Sequence, residues 1–157
     1  MLLTDLTNNK KIELKNALYI VSTPIGNRYD ITIRAIYILT NSDVIVCEDT
    51  RVTKNLFKLL NIKISNKKWI SYNDHNGPFK TRRIINDINN SKVISFVSDA
   101  GTPLLSDPGY KLVKEALRNK VQIISIPGPS AITASIVISG AKTDKFLFLG
   151  FIARKKT

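Results

Sequence analysis

The stretch VISFVSDAGTPLLSDPGYKLVKEALRN, residues 93–119, contains the structural unit that decides the fold. Its first six residues form a short apolar run rich in β-branched side chains, which predicts a buried strand. A loop rich in Gly and Pro follows. Pro108 then precedes apolar residues at helical spacing, which predicts a helix over residues 108–119. Strand, loop and helix in this order are the repeating unit of an α/β domain.

The same unit recurs on both sides of this stretch. Short apolar runs predict four further strands, over residues 18–23, 44–47, 68–72 and 121–126. Helical spacing predicts helices over residues 30–40, 52–60 and 77–88, and Asp30 is the predicted N-cap of the first. This alternation predicts an α/β fold with a five-stranded, mostly parallel sheet and helices on both faces.

Residues 127–157 follow a different pattern. A Pro-Gly-Pro sequence interrupts the chain, residues 130–139 predict a helix that is small or apolar on nearly all faces, and FLFLGF, residues 146–151, predicts an apolar strand. Such a strand must be covered on both faces. Because domains below roughly 40 residues rarely fold alone, we expect residues 127–157 to begin an incomplete second domain. The other expected parts are a flexible N-terminus over residues 1–16 and the α/β domain over residues 17–126.

The composition excludes several classes of protein. The chain has 157 residues, of which 43% are apolar and 23% are charged, and these values are typical of a globular protein. Its apolar runs are shorter than the roughly 18 residues of a membrane span, and the first residues lack the apolar core of a secretory signal. Cys47 is the single cysteine and His75 the single histidine. We therefore expect a cytoplasmic protein without disulfides, membrane anchor or zinc site.

The formal net charge is +12, and +8 of it falls in residues 79–157. An excess of this size favours a polyanionic partner such as RNA. The chain also contains 17 Lys, 22 Ile and 14 Asn. A codon bias towards A and T would produce these numbers without selection for binding. Both explanations remain open at this point.

Four predicted loops lie at the carboxyl ends of strands, where open parallel sheets bind their ligands. They are TPIGN (23–27), EDTR (48–51), DAGTP (99–103) and PGPSA (127–131). Three of them contain both glycine, which lets a backbone approach a ligand, and proline, which fixes the loop shape. The sequence contains no G-x-G-x-x-G, no P-loop motif and no G-x-S-x-G elbow. These loops favour a ligand site other than the common nucleotide and hydrolase sites.

Together with VSDAGTPLLSDPG (97–109) and DIT (30–32), the four loops closely resemble the ribosomal RNA small subunit methyltransferase I family. That family belongs to the tetrapyrrole methylase superfamily, and the motifs keep its order from about residue 18 onward. The resemblance implies two α/β domains, the first with strand order 3-2-4-1-5. It also implies S-adenosylmethionine as cofactor and 2′-O-methylation of a cytidine in the decoding region of 16S rRNA. The implied partner is this rRNA or the small ribosomal subunit, and homodimer formation remains open.

The resemblance also implies roles for individual residues. The cofactor contacts of the family fall on Pro24, Ala100, Gly101, Thr102, Leu105, Ser130 and Ala131. The resemblance supplies no general base, so the candidate catalytic residues follow from residue type and position. They are Glu48, Asp49 and Arg51, at the end of a strand, since a ribose hydroxyl needs a group that takes its proton and a guanidinium binds phosphate. The alternative role of these residues is structural, as an ion pair that caps the following helix.

Basic side chains suggest the RNA contacts. They are Lys80, Arg82, Arg83, Arg154, Lys155 and Lys156. A solvated surface is the alternative for each of them. For His75, a solvated loop position is the alternative to a functional role.

Relatives continue beyond the strand predicted to end at Phe151, so we expect one wall of the cofactor cleft to be missing. Autonomous activity therefore stays open. Two alternatives remain: an inactive remnant or half-enzyme that binds RNA or a partner chain, and a tetrapyrrole or diphthine methylase of the same superfamily.

Overall fold

A single parallel sheet forms the centre of the protein. The computed structural model describes residues 14–73 and 77–152. Its strands are β1 (Leu18–Val21), β2 (Val44–Cys47), β3 (Lys68–Ser71), β4 (Ile94–Val97) and β5 (Ile123–Ile126). They pair in the order β3-β2-β4-β1-β5, and every pair is parallel. The predicted parallel sheet and the strand order implied by the resemblance are both confirmed.

Helices follow the strands in the predicted alternation. They are α1 (Ile33–Asn41), α2 (Thr50–Leu59), α3 (Gly77–Asn89), α4 (Tyr110–Arg118) and α5 (Ala131–Ile138). The predicted N-cap of α1 is wrong. Asp30 lies in a short 3-10 turn (Arg28–Asp30), and Thr32 caps the helix by accepting a hydrogen bond from the backbone N–H of Ala35 at 3.0 Å. The 3-10 turn occupies the residues that an earlier helix start would need.

The three central strands of the sheet, β2, β4 and β1, are buried on both faces. Residues of β1, β2 and β4 alternate between two apolar cores, and all four residues of each of these strands are buried. One core contains Phe96 with side chains from α3 and α4, such as Ile84 and Leu112. The other contains Leu39 of α1 and Phe57 of α2. Helices on both faces therefore explain why these strands are buried throughout and almost entirely apolar, with Ser95 of β4 hydrogen-bonded to the Ser42 hydroxyl.

The predicted strand over residues 146–151 is wrong. These residues adopt no regular secondary structure, and the large apolar side chains from Phe146 to Ile152 are exposed, Leu147 to 79% and Phe151 to 87%. A strand needs a neighbour for its backbone N–H and C=O groups, and the five-stranded sheet of the described residues does not extend to this segment. The preceding helix, α5, is formed as predicted.

Two further properties concern the part of the chain that the structure describes. None of its helices has both the length and the apolar character that a membrane crossing requires. Within residues 14–73 and 77–152, no group of three or more His, Cys, Asp or Glu side chains is arranged to hold a metal ion.

Candidate functional site

Three loops converge at the carboxyl edge of the sheet because β4, β1 and β5 are neighbours. Thr23, after β1, and Gly101, after β4, exchange two backbone hydrogen bonds of 2.8 and 3.0 Å. Thr102 donates its hydroxyl proton to the carbonyl of Pro129, after β5, at 3.1 Å. Its Oγ1 also lies 3.0 Å from the Oγ of Ser22. Hydrogen bonds thus hold the three loops together as one unit.

A cavity of about 410 Å³ opens between these loops. Its lining residues are Ile25, Ala100, Gly101, Thr102, Leu105, Ser106, Asp107, Ser130, Ala131, Ile132, Phe148, Gly150 and Phe151. Six of the seven predicted cofactor residues are among them. Pro24 is not, although the adjacent Ile25 is. The volume lies within the range of about 300–1,000 Å³ that is typical of small-molecule sites.

The long loop between β4 and α4 has an unusual backbone. Gly101 has a φ of +78°, a value that L residues rarely adopt. Gly109, at the start of α4, has a φ of +124°, and a Cβ at this position would lie 2.3 Å from the Phe96 ring. Leu104 and Ser106 also have positive φ, although they are not glycines. This backbone turns the loop back over the sheet edge and places Leu105, Ser106 and Asp107 on the cavity wall.

The cavity combines small, apolar and polar side chains. Ala100, Gly101 and Ala131 leave space at the loops, and Leu105 and Phe148 add apolar surface. The lining hydroxyls and the Asp107 carboxyl supply hydrogen-bonding groups beside the polar backbone of the loops. Such a lining suits an organic ligand that has both polar and apolar parts.

Asp49 and Arg51 form an ion pair that caps α2. The Asp49 carboxylate accepts hydrogen bonds from the Arg51 guanidinium at 2.6 Å and from the Arg51 backbone N–H at 2.7 Å. These bonds lower the pKa of Asp49 to about 2. Neither residue lines the cavity. Their geometry is that of the helix-capping alternative.

Glu48 and Asp107 have a different environment, since each is partly buried. Burial raises the pKa of Glu48, and the carboxylates of Asp99 and Asp107 raise it further. Burial also raises the pKa of Asp107, against the effect of a hydrogen bond from Ser98. Asp99, which follows β4, is connected to the residues that follow β2, because its Oδ1 accepts a hydrogen bond from the Asp49 backbone N–H at 3.1 Å. Several carboxyl groups therefore meet where β2 and β4 end.

Asp107 is a titratable residue of the cavity lining that was not among the predicted site residues. It stands in the motif SDPG, in a loop at the predicted carboxyl edge, and this position was the signal that could have identified it. Glu48, which was singled out, lies at the same edge but is not part of the cavity lining.

The predicted RNA contacts differ in exposure. Arg82 and Arg83 are exposed on α3. Lys80 is half-buried and donates a hydrogen bond to the carbonyl of Ser71, at the end of β3. Arg154, Lys155 and Lys156 lie outside the described residues, and so does His75.

Comparison with curated proteins identifies close relatives. The chain is 43% identical over 142 residues to "Ribosomal RNA small subunit methyltransferase I" of Mesorhizobium japonicum, 45% identical over 142 residues to the protein of that name from Halalkalibacterium halodurans, and 48% identical over 141 residues to that of Rickettsia prowazekii. Each alignment covers 90% of this chain but 47%, 48% and 49% of the relative, respectively. The chain thus spans about half the length of these relatives.

Solved structures share the fold at lower sequence identity. A cobalt precorrin-4 methyltransferase matches with a TM-score of 0.63 and 18% identity, over 81% of this chain and 52% of the other. The uroporphyrin-III-C-methyltransferase of Thermus thermophilus matches with a TM-score of 0.57 and 16% identity, over 79% and 53%. A family profile described as "Tetrapyrrole (Corrin/Porphyrin) Methylases" matches residues 17–156. With a profile match over most of its length, the chain belongs to the tetrapyrrole methylase family.

Proposed function

We propose that this chain is the cofactor-binding part of an S-adenosylmethionine-dependent methyltransferase. Its proposed reaction is 2′-O-methylation of a cytidine in the decoding region of small-subunit (16S) rRNA. The observation that carries the proposal is the convergence of the loops after β1, β4 and β5 on one cavity. The names of the relatives, whose alignments span this part of the chain, supply the substrate class.

The residues of the cavity fit this cofactor. The small side chains of Ala100, Gly101 and Ala131 leave room for a nucleoside, and the Ser130 hydroxyl and the backbone of the glycine loop would bind its polar groups. Leu105 would provide apolar contact. When bound, S-adenosylmethionine supplies a methyl group that is already activated by its sulfonium. The protein then mainly has to orient the acceptor hydroxyl.

On the acceptor side, the candidates are carboxyl groups beside the cavity. A ribose hydroxyl is a weak nucleophile, so a nearby base that takes its proton would assist the reaction. We retain Glu48 and add Asp107, because burial raises the pKa of each. A raised pKa makes a carboxylate a better proton acceptor. Arg51, 89% exposed, would contact RNA phosphate together with Arg82 and Arg83.

Residues 127–157 are proposed to begin a second domain. None of the residues of α5 is buried although most of them are apolar, and the apolar side chains of residues 146–152 are exposed as well. These surfaces need cover. About half of each relative lies outside the aligned part. Cofactor binding by this chain can therefore be tested separately from its methyltransferase activity.

Calorimetric titration of the purified chain with S-adenosylmethionine tests the proposal. We expect saturable binding, and we expect Ala131→Phe to weaken it by at least about tenfold, because the added ring would fill the cavity. Ala134→Phe is the matched control, since Ala134 is exposed on the same helix outside the cavity lining. Absence of binding at millimolar cofactor would contradict the proposal and favour an inactive remnant or a half-enzyme that needs its partner.

A further inference from the structure

The 3-10 turn after β1 presents an aromatic ring to solvent. Tyr29 is 77% exposed, and the guanidinium carbon of Arg28 lies over its ring, 4.9 Å from the centroid. Arg28 also donates a hydrogen bond to the Tyr29 hydroxyl at 2.9 Å. The Asn27 side chain accepts a hydrogen bond from the Tyr29 backbone N–H at 3.1 Å. The ring is thus held in a defined position without being buried.

This turn lies at the same sheet edge as the cavity. It belongs to the loop after β1, in which Thr23 is bridged to Gly101 and Ile25 lines the cavity. Only three residues separate Ile25 from Tyr29. The Arg28–Tyr29 pair and one wall of the cavity therefore belong to the same loop.

The surroundings of Tyr29 favour nucleic acid over protein as the ligand. Gly26, Asn27, Arg28 and Asp30 are all exposed, and none of them has a large apolar side chain. The exposed large apolar side chains nearest in the chain are less exposed than the ring, Ile25 to 37% and Ile33 to 43%. A protein-docking site would need a larger apolar patch. Single-stranded RNA, in contrast, is bound by isolated aromatic rings that stack on bases and by arginines that contact phosphate or stack in turn.

We propose that Arg28 and Tyr29 form a stacking platform that holds an unpaired base of the RNA substrate beside the cavity. This inference rests on the proposed function, because it assumes an RNA substrate. Tyr29 supplies the stacking surface and Arg28 supplies the charge. The platform positions the strand, and neither residue takes part in the methyl transfer itself.

Fluorescence anisotropy with two labelled oligonucleotides tests this platform. One is a short single-stranded cytidine oligoribonucleotide, and the other is an abasic oligonucleotide of equal length and charge. Tyr29→Ala is expected to weaken binding of the cytidine strand by at least about fivefold and to leave binding of the abasic strand unchanged. Tyr29→Phe keeps the ring and is expected to bind both strands like the wild type.

The charge of Arg28 is tested in the same assay. Arg28→Ala is expected to weaken binding of both strands and to reduce the salt dependence, the slope of log K against log salt concentration, by about 0.7. Arg118→Ala is the matched control. Arg118 is also exposed and pairs with Glu115, but it lies at the end of α4, near the opposite edge of the sheet. Its loss removes the same charge and is expected to leave the slope unchanged.

The outcomes separate this inference from the proposed function. Equal binding of the cytidine strand by the wild type and Tyr29→Ala would overturn the stacking platform alone. If the wild type binds neither strand but still binds S-adenosylmethionine, the proposed rRNA substrate falls together with the platform. Circular dichroism of each variant shows whether it is folded. If Tyr29→Ala does not fold, Tyr29→Phe still provides a variant in which the aromatic ring is retained.

Discussion

Helices α4 and α5 have nearly the same length but very different surroundings. In α4, Leu112 and Ala116 are buried against the sheet, and charged residues occupy the other faces. In α5, apolar residues occur on all faces and none of its residues is buried. Val137 and Ile138 are 74% and 84% exposed. A helix that is apolar all round is stable only when it is covered all round. The contrast supports our proposal that α5 belongs to a second domain.

The largest expected difference between the two helices is in stability. Leu112→Ala removes a fully buried side chain and is expected to lower the free energy of unfolding by about 2–5 kcal/mol. Ile138→Ala, the matched change in α5, is expected to alter it by less than about 0.5 kcal/mol. Urea denaturation followed by circular dichroism measures both. A comparable cost at Ile138 would show that α5 is covered, for example in a dimer, and would end the contrast.

Most of the sheet could be predicted from the sequence because its signals are local. The apolar runs of β1, β2 and β4 lack a regular polar alternation, and this pattern is typical of strands covered on both faces. The run over residues 146–151 has the same pattern and forms no strand. Apolar composition reports that a segment needs cover, but pairing depends on a neighbour that the run itself does not specify. Likewise, the apolar residues of α5 indicate that this helix needs cover, but they do not specify a neighbour such as the sheet against which α4 packs.

The candidate site was predictable only in part. Its loops could be located because glycine and proline mark turns and parallel strands end at one edge. The roles of the charged residues could not, because they depend on distances across the chain. Asp49 was a candidate base by residue type, yet its carboxylate is held by Arg51. Asp107 reaches the cavity wall through a loop with positive φ at Leu104 and Ser106. Nothing in their residue types predicts that conformation.

A second contrast is between two aspartates, Asp87 in α3, which forms ion pairs, and Asp144 in the segment after α5, which is exposed. Burial would raise the pKa of Asp87, in α3, but hydrogen bonds and ion pairs with Lys68 and Lys92 hold it below its ordinary value of 3.8. Asp87→Asn is expected to lower the free energy of unfolding by about 1–2 kcal/mol at pH 7. A lowered pKa means that the unfolded state takes up protons first, so wild-type stability falls as the pH drops below about 4. The variant should lack the part of this loss that Asp87 causes, whereas the part due to other carboxyl groups with a lowered pKa, such as Asp49, remains.

Unfolding free energies measured from pH 7 down to pH 2 test this expectation. Asp144→Asn is the control, because Asp144 is exposed in the segment after α5. It is expected to leave both stability and its pH dependence close to those of the wild type. If the wild type and Asp87→Asn lose stability in parallel on acidification, Asp87 is not the group responsible.

The smallest effect on stability is expected in the apolar segment of residues 146–152, where a different measurement is informative. Leu147 and Leu149 are 79% and 80% exposed, with exposed phenylalanines beside them. Leu117, on α4, is also 63% exposed, but the buried Ala116 and the charged Arg118 stand on either side of it in the chain. Contiguous apolar surface binds the dye ANS, whereas a single exposed leucine does not provide such a surface. Leu147→Ser is therefore expected to lower ANS fluorescence clearly and Leu117→Ser to leave it nearly unchanged, each with less than about 0.5 kcal/mol of change in stability. Equal dye signals from the two variants would mean that residues 146–152 are covered in solution, and the segment would then resemble the sheet rather than differ from it.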